Sequence, residues 1–397
     1  MTEDQQRFGG VSRRKFLATS GAIGAAGLAG CSGSQSDDTS TTAESGSTET
    51  EATDDEETEP ETETESGGMD TSMLTAEGSS TVYPISNKGS SYWNSNAPAS
   101  DGEYWGSNDE TSVPGWDQIE TDMRLADYFA SRYGFEPTGQ QATPPFATSV
   151  ALSHSGTGCK SVRDGLVDIG NSSGPITAEL GISDAKAKEE YVDHVVGRDG
   201  QPVFVSQNIY DSGVTQLTGE EVRGIYQGEI SNWNEVGGPD QEIYVVGRAE
   251  GSGTDTSFRL NMLGDADAPM DVDTRKGQNQ QVKTVLQQND NAIGYMALAF
   301  QSEGIKPVAI NFEGTVYKPD KSAENTIFDS SYPLNRDLHM YTKKTDETPD
   351  GTDMREAAFI NMFLTDFGQQ VFVEGVEYIP LPEKDIEAEK AKLPDQP

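Results

Sequence analysis

From Leu74 onward, short apolar runs alternate with amphipathic stretches and Gly/Ser turns, the pattern of an α/β architecture. Cys159, Val162 and Leu166 recur at helical spacing, Gly165 stands where such a helix stops, and Val167-Asp168-Ile169 follows as a short strand. Thr218 and Glu221 have the spacing of a capping box ahead of Val222, Ile225 and Tyr226, and Gly228 closes that helix. Val282, Val285 and Leu286 form another helical face, followed by a turn and the apolar strand Ala292 to Met296. Met354, Ala358, Phe359, Met362, Phe363 and Phe367 make a long apolar stripe that predicts core. Residues 94–120, rich in Asn, Ser, Gly, Asp and Trp without a period, predict a surface insertion.

The first seventy residues follow other rules. Ser12-Arg13-Arg14-Lys15-Phe16-Leu17 opens a small and apolar stretch ending at Leu28-Ala29-Gly30-Cys31. That is a twin-arginine export signal followed by a lipobox, so residues 1–31 predict a leader cleaved before Cys31, with a lipid on that thiol holding the protein at the outer face of the cell membrane. Residues 32–72 are Thr, Ser, Glu and Asp with no aromatic side chain, and predict a disordered, self-repelling tether.

Charge sharpens the picture. The 397-residue chain has 67 acidic and 28 basic residues, net −39, of which the leader carries +2 and the tether −14, leaving −27 on the rest. At about 1 M salt the Debye length is roughly 3 Å, so such self-repulsion is mostly screened, and the composition is that of a protein built for brine. A polyanion repels a phosphate backbone, which argues against a nucleic-acid partner. Two cysteines and no CxxC or HExxH spacing argue against a disulfide framework or a zinc site, and no cofactor is expected.

Three segments share one chemistry: Gly78-Ser79-Ser80-Thr81, Ser155-Gly156-Thr157-Gly158 and Gly251-Ser252-Gly253-Thr254. Each precedes an amphipathic stretch, so its N–H and O–H groups lie where a helix N-terminus favours an anion, although Ser and Thr are also ordinary caps. Arg248 precedes the third loop with a planar fork that matches an oxyanion, and Glu250 is a plausible partner to orient it. These loops, together with Val167 to Ser173, Leu217-Thr218-Gly219-Glu220, Asn232-Trp233-Asn234, Ala292-Ile293-Gly294-Tyr295 and Tyr332-Pro333-Leu334, resemble in order the signatures of phosphate-binding proteins of ATP-binding-cassette importers.

The resemblance implies a two-lobed α/β fold of the periplasmic-binding-protein type II kind, with the ligand cleft between lobes. Lobe 1 is expected over 73–198 and 301–397, including the C-terminal tail, and lobe 2 over 199–300. Carried over by position, the phosphate ligands fall on Ser80, Thr81, Ser155, Ser173, Arg248, Ser252, Gly253 and Thr254. Ser173 stands where several family members have an Asp that accepts from a protonated phosphate oxygen; Glu77 or another carboxylate is a substitute acceptor. The implied partners are inorganic phosphate and a membrane permease, the implied state is a monomer, and no enzymatic activity is implied. A sulfate-like oxyanion is the alternative ligand. An exported hydrolase is a weaker rival, since His154 adjoins Ser155 but no Gly-x-Ser-x-Gly elbow is present.

Overall fold

The computed structural model describes residues 69–98, 101, 119, 121–345, 348 and 351–396. Two five-stranded sheets organise two lobes. In the first, β1 (Leu74–Ser79) lies parallel between β2 (Thr148–Ser153) and β3 (Ile169–Ser172), and β13 (Arg336–Lys343) runs antiparallel between β3 and β4 (Tyr191–Asp199). In the second, the order is β10 (Ile305–Pro307), β5 (Val203–Ser206), β9 (Ala292–Tyr295), β7 (Tyr244–Arg248) and β8 (Thr274–Lys276), with β7 parallel to both neighbours. A small sheet of β6 (Gln216–Thr218), β11 (Ala309–Phe312) and β12 (Thr315–Tyr317) accompanies it. β3, β5 and β9 are buried at every position, as central strands covered on both faces must be.

The chain crosses between lobes after Asp199 and returns at Arg336. The return expected near residue 300 is therefore corrected: Lys306 pairs with Val205, and the Tyr332 ring packs 5.3 Å from Tyr317, so residues 301–335 build lobe 2. A three-residue edge strand such as Ile-Lys-Pro carries no sequence signal of the sheet it joins. Two smaller expectations also shift. The strand read at Val167 begins at Ile169, and Leu166 is 73% exposed because the preceding helix ends at Arg163.

The helices that position the site start directly after strands. α1 (Tyr83–Ser95) follows β1 and has Pro in its first turn, where the missing N–H costs nothing. It ends on Asn96 in the left-handed region (φ 41), whose Oδ1 accepts from the N–H groups of Ala126 and Asp127 at the start of α2 (Leu125–Ser131), at 2.9 and 3.2 Å. The first residues of the expected insertion are thus interior: α1 runs through Ser95, and Asn96 and Ala97 are fully buried. Most of the remainder, 102–118, lies outside the described residues.

α3 (Ser155–Arg163) follows β2, and α4 (Ile176–Leu180) follows β3. α5 (Gly219–Tyr226) carries the expected capping box, with Thr218 Oγ1 accepting from Glu221 N at 3.1 Å. α6 (Gly253–Phe258) follows β7, and α7 (Asn279–Gln288) follows β8. The C-terminal stripe becomes α8 (Met354–Phe363), nearly all buried, with Phe359 packed edge-on against Trp93 at 5.7 Å. Arg355 on α8 pairs with Asp168, Asp353 and Asp70 and donates to Ser72, so the last residues assigned to the tether are docked on lobe 1. The leader, Cys31 and the rest of the tether lie outside the described residues. Among the described residues no helix is long and apolar enough to cross a membrane.

Gly78 is where β1 turns toward the site. Its φ is +141°, and a Cβ there would drive into the carbonyl oxygen of Asn171 on the neighbouring strand. Gly78→Ala is expected to cost about 2 kcal/mol or more of stability. Denaturant unfolding in molar salt checks this, and an unchanged midpoint would contradict it.

Candidate anion site

Each of three strands ends at the same place. β1 delivers Ser79, Ser80 and Thr81, β3 delivers Ser173 and Gly174 beside Ser155 of α3, and β7 delivers Arg248 and the loop into α6. The three loops read in the sequence meet, and hydrogen bonds link them across the lobes. Thr81 Oγ1 and Thr254 Oγ1 are 3.0 Å apart, and Gly156 N donates to Gly251 O at 3.0 Å. Ser155 Oγ accepts from Ser173 N at 3.1 Å, and Ser79 Oγ donates to Ser173 Oγ at 3.0 Å. Ser80, Thr81, Ser155, Ser173, Arg248, Ser252 and Thr254 are all buried. Gly253 has to be glycine, because a Cβ would collide with Ser155 Oγ and come within 2.8 Å of Gly174 N.

Ser155 and Gly156 occupy the first turn of α3, and Gly253 and Thr254 the first turn of α6, positions whose N–H groups precede any intrahelical acceptor. With the hydroxyls they form a shell rich in donors.

Arg248 crosses this shell. Nη1 donates to Asn279 Oδ1 at 2.6 Å, Nη2 to Gly277 O at 2.7 Å and to Ser80 Oγ at 3.3 Å, and Nε to Lys276 O at 3.2 Å. All four acceptors are neutral, and among the described residues no carboxylate lies within ion-pair distance of the guanidinium. Burial pushes its pKa down to about 10, which still leaves it charged at neutral pH. Its backbone is fixed as well: Arg248 N donates to Tyr295 Oη at 3.1 Å, and that hydroxyl donates to Asp255 Oδ1 at 2.6 Å.

The orienting role expected of Glu250 is corrected. β7 ends at Arg248 and the chain turns through Gly251 at φ +76°, which leaves Glu250 exposed and off the guanidinium. Asn279, the first residue of α7, takes that role and also donates from Nδ2 to Ser80 Oγ and Thr81 Oγ1 at 3.2 and 3.1 Å. Glu77, considered as an acceptor, instead accepts from Ser161 Oγ on α3 at 2.9 Å. No described hydrogen bond joins His154 to Ser155, so the nucleophile–base pair a hydrolase needs is not formed here.

Two further charged groups at the site gave no sequence signal. Arg336 Nη2 reaches Thr81 Oγ1 at 3.4 Å, and the same guanidinium is paired with Asp199 at 2.6 Å. Glu179 of α4 lies against the glycines beside Ser155 and Ser173, its Oε1 2.8 Å from where a Gly174 Cβ would be and without a hydrogen-bond partner. Burial lifts its pKa to about 7; a hydrogen bond from Thr256 opposes that rise and Asp255 adds to it.

A family model described as a PBP superfamily domain matches residues 126–366, well over half of the chain. The chain belongs to the PBP superfamily. Among curated relatives of this PBP superfamily chain, the phosphate-binding protein PstS of Bacillus subtilis is 35% identical over 203 residues, 51% of this chain and 63% of that one. The chain thus matches under two thirds of that relative's length. PstS of Staphylococcus saprophyticus is 28% identical over 255 residues, 62% of this chain and 75% of that one. A phosphate ABC transporter substrate-binding protein from Clostridium perfringens, solved with bound phosphate, superposes with a TM-score of 0.55 at 21% identity, over 78% of this chain and all of that one; it supports the two-lobed PBP fold.

Glu179 generates a pH prediction. A carboxyl whose folded pKa is raised binds a proton that the unfolded chain has released, so its stabilising contribution is complete below about pH 4.5 and is lost as pH rises through about 7. The melting midpoint in molar salt is expected to fall between pH 5 and 8, and to fall less in Glu179→Gln. Equal slopes for the two proteins would contradict this.

Proposed function

We propose that this PBP superfamily chain captures inorganic phosphate outside the cell and hands it to the permease of an ATP-binding-cassette importer. The observation that carries the reading is Arg248, a buried guanidinium held only by neutral acceptors and surrounded by hydroxyls and helix-start N–H groups from three loops. A buried cation with no carboxylate at ion-pair distance is costly, and a small anion at these loops supplies a direct partner. Micromolar capture needs only about −8.2 kcal/mol net, which a few charge-assisted bonds of about 1.5–3 kcal/mol each can reach after desolvation. The Bacillus and Staphylococcus relatives, both phosphate-binding proteins, point the same way.

In this reading Ser80, Thr81, Ser155, Ser173, Arg248, Ser252, Gly253 and Thr254 form the ligand cage. The protein works as a monomer, fastened by a lipid on Cys31 to the outer face of the membrane, and its acidic surface suits the molar salt of a halophile. It binds and delivers without turnover. A second reading, a less selective tetrahedral-oxyanion binder, is favoured by one observation: Ser173 presents a hydroxyl, which donates as readily as it accepts, at the position facing Ser79 and Ser155.

Calorimetry with phosphate, arsenate and sulfate in molar salt tests both. Phosphate is expected to bind with micromolar or tighter affinity, and Arg248→Ala to lose at least a hundredfold while keeping its fold by circular dichroism. Retained affinity in that variant would remove Arg248 from the site. Ser173→Asp is expected to raise the phosphate-to-sulfate preference at least tenfold, since a carboxylate accepts from a protonated oxyanion and repels one with no proton to give. An unchanged ratio would refute that role.

A further inference from the structure

We propose that the Asp199–Arg336 pair couples occupancy of the anion site to closure of the two lobes, Arg336 acting as a positioning residue; this rests on the phosphate-capture reading. The pair sits where the chain changes lobes. Asp199 is the last residue of β4 before the outward crossing, Arg336 is the first residue of β13 after the return, and the two are register partners across the β4–β13 ladder.

The carboxylate is engaged on both sides of the crossing. Its Oδ2 accepts from Arg336 Nε and Nη2 at 3.0 and 2.6 Å, while its Oδ1 accepts from Leu298 N of lobe 2 at 2.9 Å and from Gln201 N at 3.3 Å. The guanidinium's other edge faces the anion loops. Nη1 reaches Ser173 O at 3.4 Å in lobe 1 and Gly253 O at 3.3 Å in lobe 2, and Nη2 reaches Thr81 Oγ1 at 3.4 Å.

The asymmetry in these lengths is the argument. The inward bonds are short and charge-assisted, whereas the three outward contacts lie near the limit of hydrogen bonding. One rigid, planar group is therefore anchored at the crossing and only loosely engaged with the segments that follow β1, β3 and β7, so it has donor capacity left for an acceptor stronger than a carbonyl. Gln201 gives a second link from the same crossing: held at φ 38, it donates from Nε2 to Thr254 O at 2.6 Å.

An anion seated among Thr81, Ser173 and Gly253 gives the outward edge of Arg336 a charged field to face only when both lobes are in place. That is the differential affinity that shifts an open–closed equilibrium. Lysine cannot reproduce it, because a single ammonium can pair with Asp199 but cannot span to three loops as well.

The test measures phosphate affinity by calorimetry and ligand-induced compaction by small-angle scattering, on the full chain in molar salt. Wild type is expected to bind and compact. Arg336→Lys keeps the ion pair, so its melting midpoint should stay near wild type while affinity drops at least tenfold and compaction is lost. The double variant Asp199→Asn with Arg336→Gln leaves no lone buried charge and is expected to behave likewise. Wild-type affinity and compaction in Arg336→Lys would overturn the coupling, as would weakened binding with compaction intact, which would make Arg336 a ligand only. A wild-type chain that takes no phosphate would instead refute the capture reading on which the coupling rests.

Discussion

Arg248 is buried to 1% exposure with three of its nitrogens on neutral oxygens, and that charge, with no carboxylate at ion-pair distance among the described residues, sets what the surrounding structure has to supply. Removing a guanidinium from water costs several kcal/mol unless partners replace the lost hydration. Here the partners come from segments far apart in the chain: the carbonyls of Lys276 at the end of β8 and of Gly277 after it, the amide of Asn279 at the start of α7 and the hydroxyl of Ser80 after β1. Each of them satisfies an N–H, and none cancels the charge. The loops around it add hydroxyls and helix-start N–H groups but no carboxylate at ion-pair distance, so the local field remains one that an anion fits.

The fold makes this arrangement possible because strands of both sheets end at one seam. β1, β3 and β7 each run into a loop of small residues, and α3, which follows β2, and α6, which follows β7, begin beside those loops with their positive ends toward the same point. Glycine at positions 78 and 253 lets backbone approach backbone where any side chain would separate the loops. The strongly acidic remainder of the chain acts through screened distance, while the site is built from contacts of about 3 Å, so a polyanionic protein can still carry a locally cationic site.

Much of this was legible in the sequence, and the reason is local. A Gly/Ser/Thr loop before an amphipathic run, or a Thr-x-x-Glu before one, states its geometry within a few residues, and the three loops and the α5 capping box are found where that grammar puts them. What was not legible is long-range. Asp199 and Arg336 lie 137 residues apart and meet only because β4 and β13 are neighbours in a sheet. Asn279 reaches Arg248 because β8 pairs with β7, and nothing about one asparagine at a helix start announces it. Glu250 failed for the converse reason: closeness in sequence to Arg248 counted for less than the turn at Gly251 that sends its side chain outward. The lobe boundary moved because an edge strand is recognised by its partner, not by its composition.

The central claim is that Arg248 and the three loops hold a single oxyanion between the lobes. A crystal structure grown with phosphate in molar salt tests it most directly. The account predicts one tetrahedral anion within hydrogen-bonding distance of the Arg248 guanidinium and of hydroxyls or N–H groups from all three loops. Phosphate bound elsewhere on the molecule, with Arg248 still held only by Asn279, Gly277 and Lys276, would contradict it.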